Sequence, residues 1–382
     1  MKTLADYGTS GDGISDDFPA FQRALDDARG GMLRVPPGTY RIGGTLRLHS
    51  GTHLACEQGA TIRWADGAGK SPDDYLLAAG GAAGASAITV SGGVWDGNNP
   101  ANRRPEDLFA ESHTGAVMHF ENVQDLVLRG LRVHDAESYN IRLCGTRDFV
   151  IEDIVFSSCH IRPNNDGVHL GGGCEDGIIR RISSADRGVT GDDMVALNAD
   201  DALSRTEVRG MACGPIRNIR IEDLRADGCH CFVRLLSIWS EIENVEACGI
   251  RGSCEFSAVN CDAARACRVP IFDAATPPFP DGVGMLRDIL IRDVSVAKSA
   301  PNDTPLLRLE TRMRNFRVAG FRREAGHAAS PAATVRVMHT RVGSMVFEGA
   351  LPPASPAPAQ IDVDATWASA CSSFDLLCVD PR

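Results

Sequence analysis

Two short acidic segments carry the residue types best suited to chemistry, RPNNDGVHL at 162–170 and VTGDDMVALNADD at 189–201. The first holds Asp166, the second holds Asp192, and Asp193 adds a third carboxyl. Carboxyls crowded on one face repel each other. That raises the pKa of at least one and leaves another ionised, the pairing that general acid and base work requires. Hydrolysis of a glycosidic bond with inversion needs such a pair roughly 6.5–9.5 Å apart, so that a water fits between acid and base. A solvated acidic turn or a calcium site would use the same residues, and spacing by itself leaves these readings open.

The carboxyls must be brought together by the elements that carry them, and a repeated phrase supplies those. It recurs as QDLVLRGLRV (124–133), RDFVIEDIVF (147–156), EDGIIRRISS (175–184), RNIRIEDLRA (217–226), RDILIRDVSV (287–296) and RNFRVAGFRR (314–323). Each phrase reads as a polar residue, Asp or Asn, then two short alternating strands. The Asp/Asn positions are 125, 148, 176, 218, 288 and 315, and the gaps from 176 to 218 and from 218 to 288 are longer than the rest. Taking those longer gaps as two or three repeats, the period is roughly 23 to 28, which is what one coil of a parallel β-solenoid needs. Such a coil buries its aliphatic side chains only by stacking on its neighbours. Adjacent coils stack about 4.8 Å apart, so residues one period apart become neighbours on one face. Asp166 and Asp192 are separated by one such period. Period-2 alternation excludes helical repeats, and a β-sandwich would lack the common Asp/Asn-led register.

A solenoid end exposes strand edges unless something covers it. In DDFPAFQRALDDARGG, Phe18, Phe21, Leu25 and Ala28 recur at helical spacing; Asp16 or Asp17 can cap, Pro19 suits the first turn, and Gly30-Gly31 ends the helix. The expected fold is therefore all-β, a single-domain parallel β-helix with an N-terminal capping α-helix at about 14–30. The catalytic β-helix spans 1–350, and LPPASPAPAQ begins a Pro/Ala-rich linker and a tail or strap over 351–382.

The order of ADYGTSGDGISDD (5–17), GTLRLHSGTHLACEQGATI (44–62), GGVWDGNN (92–99), NNDGVHL and GDDMVALN resembles the polygalacturonase-type family of pectinolytic glycoside hydrolases, from residue 5 to about 200. The resemblance implies a right-handed parallel β-helix. It also implies a general acid at Asp192, and Asp166 and Asp193 holding and deprotonating the water. The Asn-x-Asp motif falls on Asn164 and Asp166. His169 lies in the same motif and is expected to orient a neighbour or fill the core. Downstream, the family's Gly-His-Gly and Arg-Ile-Lys find only GCHCFVRLLS (228–237) and CGIRGS (248–253). His230 stands for the His and either Arg234 or Arg251 for the Arg. The substrate contacts implied are thus Asn164, His169, His230, Arg234 and Arg251, with a buried His and surface ion pairs as the alternative readings. Neither phrase holds the Lys that would grip a uronate carboxylate. In the loop 96–115, Arg103, Arg104 and His113 are further candidates for sugar contact.

Composition bounds the partners. With 39 Lys+Arg against 50 Asp+Glu the net charge is -11, which disfavours nucleic acid and anionic membrane. No run approaches the roughly 20 apolar residues of a spanning helix. A carbohydrate partner and no cofactor or metal are expected, and the oligomeric state is not visible. Met1-Lys2 leads into polar sequence, so a cytoplasmic location is expected, or a secreted or periplasmic one if a leader was removed. The 13 cysteines are then reduced and act as small core residues, since none forms a zinc-type pair of C-x-x-C units. The alternatives to hydrolysis are a β-helix lyase or epimerase, and a carbohydrate-binding solenoid without catalysis.

Overall fold

The Asp/Asn positions that lead the repeat all turn in the left-handed region. Asp125, Asp148, Asp176, Asn218, Asp288 and Asn315 have φ between 54° and 59°. Short Asp and Asn side chains tolerate this conformation, so they mark a corner at which the extended chain turns within a strand. The corner residues stack from coil to coil. The Asn218 side-chain amide donates to Asp176 at 2.8 Å, and that of Asn244 donates to Asn218 at 2.8 Å. A second corner is lined by Gly130, Asp153, Arg181, Asp223, Gly249, Asp293 and Gly320, again at positive φ.

In the computed structural model these corners wind the chain into an all-β parallel solenoid. Its described residues are 2–69, 71, 73–104, 115–201, 212–263, 284–326 and 330–337, with strands at 345–348, 361–363 and 377–379. The linker at 351–360 and His113 lie outside them. Inward-facing side chains form continuous ladders. One runs Leu77, Met118, Ile141, Val168, Val195, Val233, Val259, Leu307, Val335, each pairing with the next. A second, on another part of the coil, runs Leu126, Phe149, Gly177, Ile219, Val245, Ile289, Phe316. Gly177 is required there, because a methyl at that position would lie 2.0 Å from the Phe149 ring.

Register corrects the reading of the longer gaps. Gly177 pairs directly with Ile219, so the gap from 176 to 218 is one coil enlarged by the excursion after Asn198, not two coils. The gap from 218 to 288 is two coils, through Asn244, because Ile219 pairs with Val245 and Val245 with Ile289. On the face that carries the carboxyls, Val168 pairs with Val195. That register places Asp193, rather than Asp192, over Asp166.

The helix forms as Phe18–Asp27 and packs Phe21, Ala24 and Leu25 against the first coils, Phe21 edge-on to Tyr40 at 5.9 Å. Of the two aspartates expected to cap it, only Asp16 bonds a helix N–H. The Asp17 carboxylate turns away from the helix to accept from the Ser10 and Gly11 N–H groups, while Asp16 accepts from the Phe18 N–H. The ten cysteines from Cys56 to Cys261 carry free thiols, and seven of them are buried. Among the described residues no helix is long and apolar enough to cross a membrane.

Candidate active site

Three strands of successive coils build the site: Tyr139–Cys144, Val168–Leu170 and Asp193–Asn198, followed by the last third of Ile216–Leu236. Their register aligns Arg142, His169, Ala196 and Arg234 in one ladder. Asp166 sits at the corner ahead of its strand. The Asn140 N–H donates to the Asp166 carbonyl at 2.9 Å, and the Gly167 N–H donates to the Asp193 carbonyl at 2.9 Å. Gly167 allows this stack, because a Cβ there would lie 2.4 Å from the Met194 carbonyl oxygen. Asp166 and Asp193 therefore stand one above the other, with Asp192 one residue outward.

Burial grades the three carboxyls. The Asp193 side chain is 2% exposed and that of Asp192 is 17%. Burial and the charge of Asp192 push the Asp193 carboxyl up to about 8, against the pull of the Arg234 guanidinium 3.6 Å away. Near neutral pH the adjacent pair therefore holds a proton as a unit. Arg234 is fixed on its other side by Asp262 at 2.8 Å. Burial acts to discharge it, but the two aspartates keep it firmly cationic.

His169 is fully buried, so it holds a carboxylate rather than facing a groove. Its Nδ1 lies 2.5 Å from Asp166 and its Nε2 2.5 Å from Asp201. Burial would lower its pKa, but the charges and hydrogen bonds of Asp201 and Asp166 outweigh it and raise the imidazole to about 9. A carboxylate paired with a buried imidazolium stays ionised, which fixes the charge state of Asp166. Asn198 holds the other oxygen of Asp201 at 2.9 Å, and the Tyr139 ring tilts against His169 at 4.5 Å.

On the outer side, the Asn164 side-chain amide reaches Asp192 at 3.4 Å, and His230 Nδ1 approaches the same carboxylate at 3.4 Å. His230 stacks on Phe256, with centroids 4.9 Å apart and planes at 12°. Burial would lower the pKa of His230, but the hydrogen bond and charge of Asp192 raise it. Asp192, Asp193 and His230 offer donor atoms within 4.8 Å of one another, a spacing that suits a cation, although the tendency of His230 to protonate opposes one. That spacing also means that the closest oxygens of Asp192 and Asp193 fall short of the expected separation of roughly 6.5–9.5 Å, since the two side chains come from neighbouring residues rather than from separate coils.

The structure thus brings together Asp166, Asp192, Asp193, Asn164, His169, His230 and Arg234. Arg251 stands apart. It lies on another part of the coil, where it pairs with Arg225 and Ser295, and it forms an ion pair with Asp293 at 2.7 Å. Arg104 is buried against Glu137 and donates to the Pro163 carbonyl, so it supports the turn rather than a sugar, whereas Arg103 is exposed. Sequence reasoning missed Asp201, Asp262 and Phe256. Of these, only Asp201 had a signal, the Asn-Ala-Asp-Asp run. Its neighbour Asp200 serves the backbone, accepting from the N–H groups of Ile238, Trp239 and Ser240 at 2.8, 2.6 and 2.7 Å.

Comparison with known proteins bears on this geometry. Residues 50–222 match Glycosyl hydrolases family 28, and residues 3–71 match Rhamnogalacturonase A/epimerase, pectate lyase-like. A "Probable polygalacturonase" of Arabidopsis thaliana is 24% identical over 236 residues, 59% of this chain and 48% of that protein. Plasmin and fibronectin-binding protein A of Streptococcus pneumoniae is 44% identical over 64 residues, 16% of this chain and 9% of its own length. The chain thus spans less than half of either relative. The adhesin PfbA of that organism shares the fold with a TM-score of 0.60 at 13% identity, over 94% of this chain and 95% of that one. The family 28 exopolygalacturonase of Yersinia enterocolitica does so with a TM-score of 0.53 at 14% identity, over 95% of this chain and 78% of that one. The parallel β-helix fold and the resemblance to the polygalacturonase-type family both stand.

Proposed function

We propose that this chain, which is similar to glycosyl hydrolases of family 28 over residues 50–222, is a glycoside hydrolase that cleaves a pectin-like carbohydrate with inversion. The observation that carries the reading lies inside the matched segment. Asp166 and Asp193 are stacked on adjacent coils with Asp192 beside them, Asp166 is bonded to the buried His169, and burial together with the charge of Asp192 pushes the Asp193 carboxyl up.

Asp192, the most exposed of the three, delivers its proton to the glycosidic oxygen as the bond to the anomeric carbon breaks. Water attacks that carbon from the opposite face and loses a proton to Asp193, with Asp166 fixing the water's position. The Asp192–Asp193 pair therefore holds one proton before the reaction and one after it. With these carboxyls so close, the water is held beside the pair, toward Asp166, rather than between its members. Arg234 stabilises Asp193 while it is ionised, and His230 orients Asp192. The His230–Phe256 stack provides a flat surface next to the acid on which a sugar ring can rest.

The test is turnover of a panel of pectic and neutral oligosaccharides, following new reducing ends and ultraviolet absorbance together. Asp192→Asn should lose at least about 10²-fold in rate while keeping its fold, and the product should first appear as the inverted anomer by NMR. Full activity in that variant would refute the assignment. A retained anomer would make one aspartate a nucleophile instead, and absorbance without hydrolysis would indicate a lyase.

A further inference from the structure

A second cluster of titratable side chains lies outside the carboxylate site, on another part of the coil. His134 ends the strand Arg132–His134 and Asp135 follows it, while Cys159 comes shortly after Ser157, which pairs with His134 on the next coil. One donor atom from each of His134, Asp135 and Cys159 lies within 4.8 Å of the other two. His134 Nε2 is 3.3 Å from Asp135 Oδ2.

The atoms behind these donors are held in place. Asp135 Oδ1 accepts from the Ser158 hydroxyl at 2.8 Å and from the Cys159 N–H at 2.7 Å, which leaves Oδ2 for the cluster. Arg132 Nε donates to the Ser157 hydroxyl oxygen at 3.0 Å, and His134 Nδ1 meets the same oxygen at 3.0 Å. That oxygen can accept from both, and in the tautomer with its proton on Nδ1 the imidazole presents the Nε2 lone pair to the cluster. Outer-layer hydrogen bonds of this kind orient metal ligands. The charges nearby are Asp96, which pairs with His134 from the preceding coil, Asp186, which accepts from the Ser158 N–H, and the guanidiniums of Arg63 and Arg132. The Cys159 side is exposed, so an ion has an entry path and a place for a water ligand.

We propose that His134, Asp135 and Cys159 form a binding site for a zinc-class divalent cation, with solvent in the fourth position. One imidazole nitrogen, one carboxylate oxygen and one sulfur form a borderline-soft set, which selects zinc or cobalt over the hard oxygen-seeking calcium and magnesium. Bound there, the ion ties two adjacent coils together at the start of the segment 158–166, which delivers Asn164 and Asp166. That segment is already anchored by the Asn99 side-chain amide, which donates to the His160 carbonyl at 2.8 Å.

The test titrates the full, reduced chain with zinc and with cobalt near neutral pH. One equivalent should bind. Cobalt should produce a thiolate-to-metal charge-transfer band, and zinc should slow alkylation of Cys159 at least about tenfold. Cys159→Ser and His134→Gln should each lose the site or weaken it by about 10–100-fold, the usual range for disturbing a ligand set. Their circular dichroism should not change, because Cys159 is exposed and His134 lies outside the hydrophobic core. Absence of saturable binding would overturn the proposal. So would a band that survives in Cys159→Ser, which assigns the thiolate elsewhere, or binding without a band, which places the ion among donors that lack sulfur, such as Asp192, Asp193 and His230.

Discussion

Replacing His169 with Gln removes the positive charge between Asp166 and Asp201 and nearly preserves the side-chain volume. In the folded chain the imidazole titrates at about 9, against 6.5 when free. A group with a raised folded pKa stabilises the fold fully below its unfolded value, and that contribution is lost as pH rises through the folded value. The window is therefore pH 6.5 to about 9. At about 1.4 kcal/mol per unit, the contribution lost across it is on the order of 3 kcal/mol. Asp193, pushed up to about 8, adds a slope of the same sign, because its folded form also keeps a proton that the unfolded chain has released. The informative quantity is therefore the difference between wild type and variant. Urea denaturation at the two ends of the window should show the wild type losing about 3 kcal/mol more than His169→Gln. Asp201→Asn, which keeps the His and removes one of its two carboxylates, should lie between them. In His169→Gln the rate of substrate hydrolysis should fall, because Asp166 loses the cation that keeps it ionised. If wild type and His169→Gln show the same loss of stability with pH, the imidazole is not the buried cation described, and the charge state inferred for Asp166 fails with it.

Other perturbations test other links. Arg234→Ala leaves Asp193 and Asp262 buried without their shared cation, so it should destabilise the chain by about 3–5 kcal/mol and move the basic limb of the activity profile upward, measured by denaturation and by rate against pH. Asn218→Ala forces an alanine to φ 57° and should lower stability by about 1–2 kcal/mol, whereas Asn218→Gly should recover most of that loss in the same denaturation assay. Gly177→Ala puts a methyl 2.0 Å from the Phe149 ring and should cost about 1–3 kcal/mol, and pairing it with Phe149→Leu should restore part of that loss.

Much of the solenoid is legible in the residues because each coil repeats the same local requirement. An Asp, Asn or Gly is needed at each corner, and alternating aliphatics are needed between corners. All six corner positions read from the sequence turn in the left-handed region. Asn244 went unread, because a long insertion follows its phrase ENVEACGI, so the gap from 218 to 288 read as two or three coils without showing where the intermediate corner falls. The helix was legible from its apolar spacing, but which of Asp16 and Asp17 meets its first N–H was not, since Asp17 is drawn to the Ser10 and Gly11 amides by a contact that depends on how the first coil closes.

The candidate site divides in the same way. Sequence alone determined that Asp166, Asp192 and Asp193 would meet, because the period of the repeated phrase brings them to the same face. The strand register decided which of them face each other. Pairing of Val168 with Val195 puts Asp193 over Asp166 and leaves Asp192 outermost. It also took folding to bring Asp201 and Asp262 to His169 and Arg234, and to carry Arg251 onto another part of the coil. A periodic pattern specifies which residues recur at a corner or face inward. Side-chain pairings between coils depend instead on the length of each loop, and the charge of a buried group depends on every neighbour those loops bring to it.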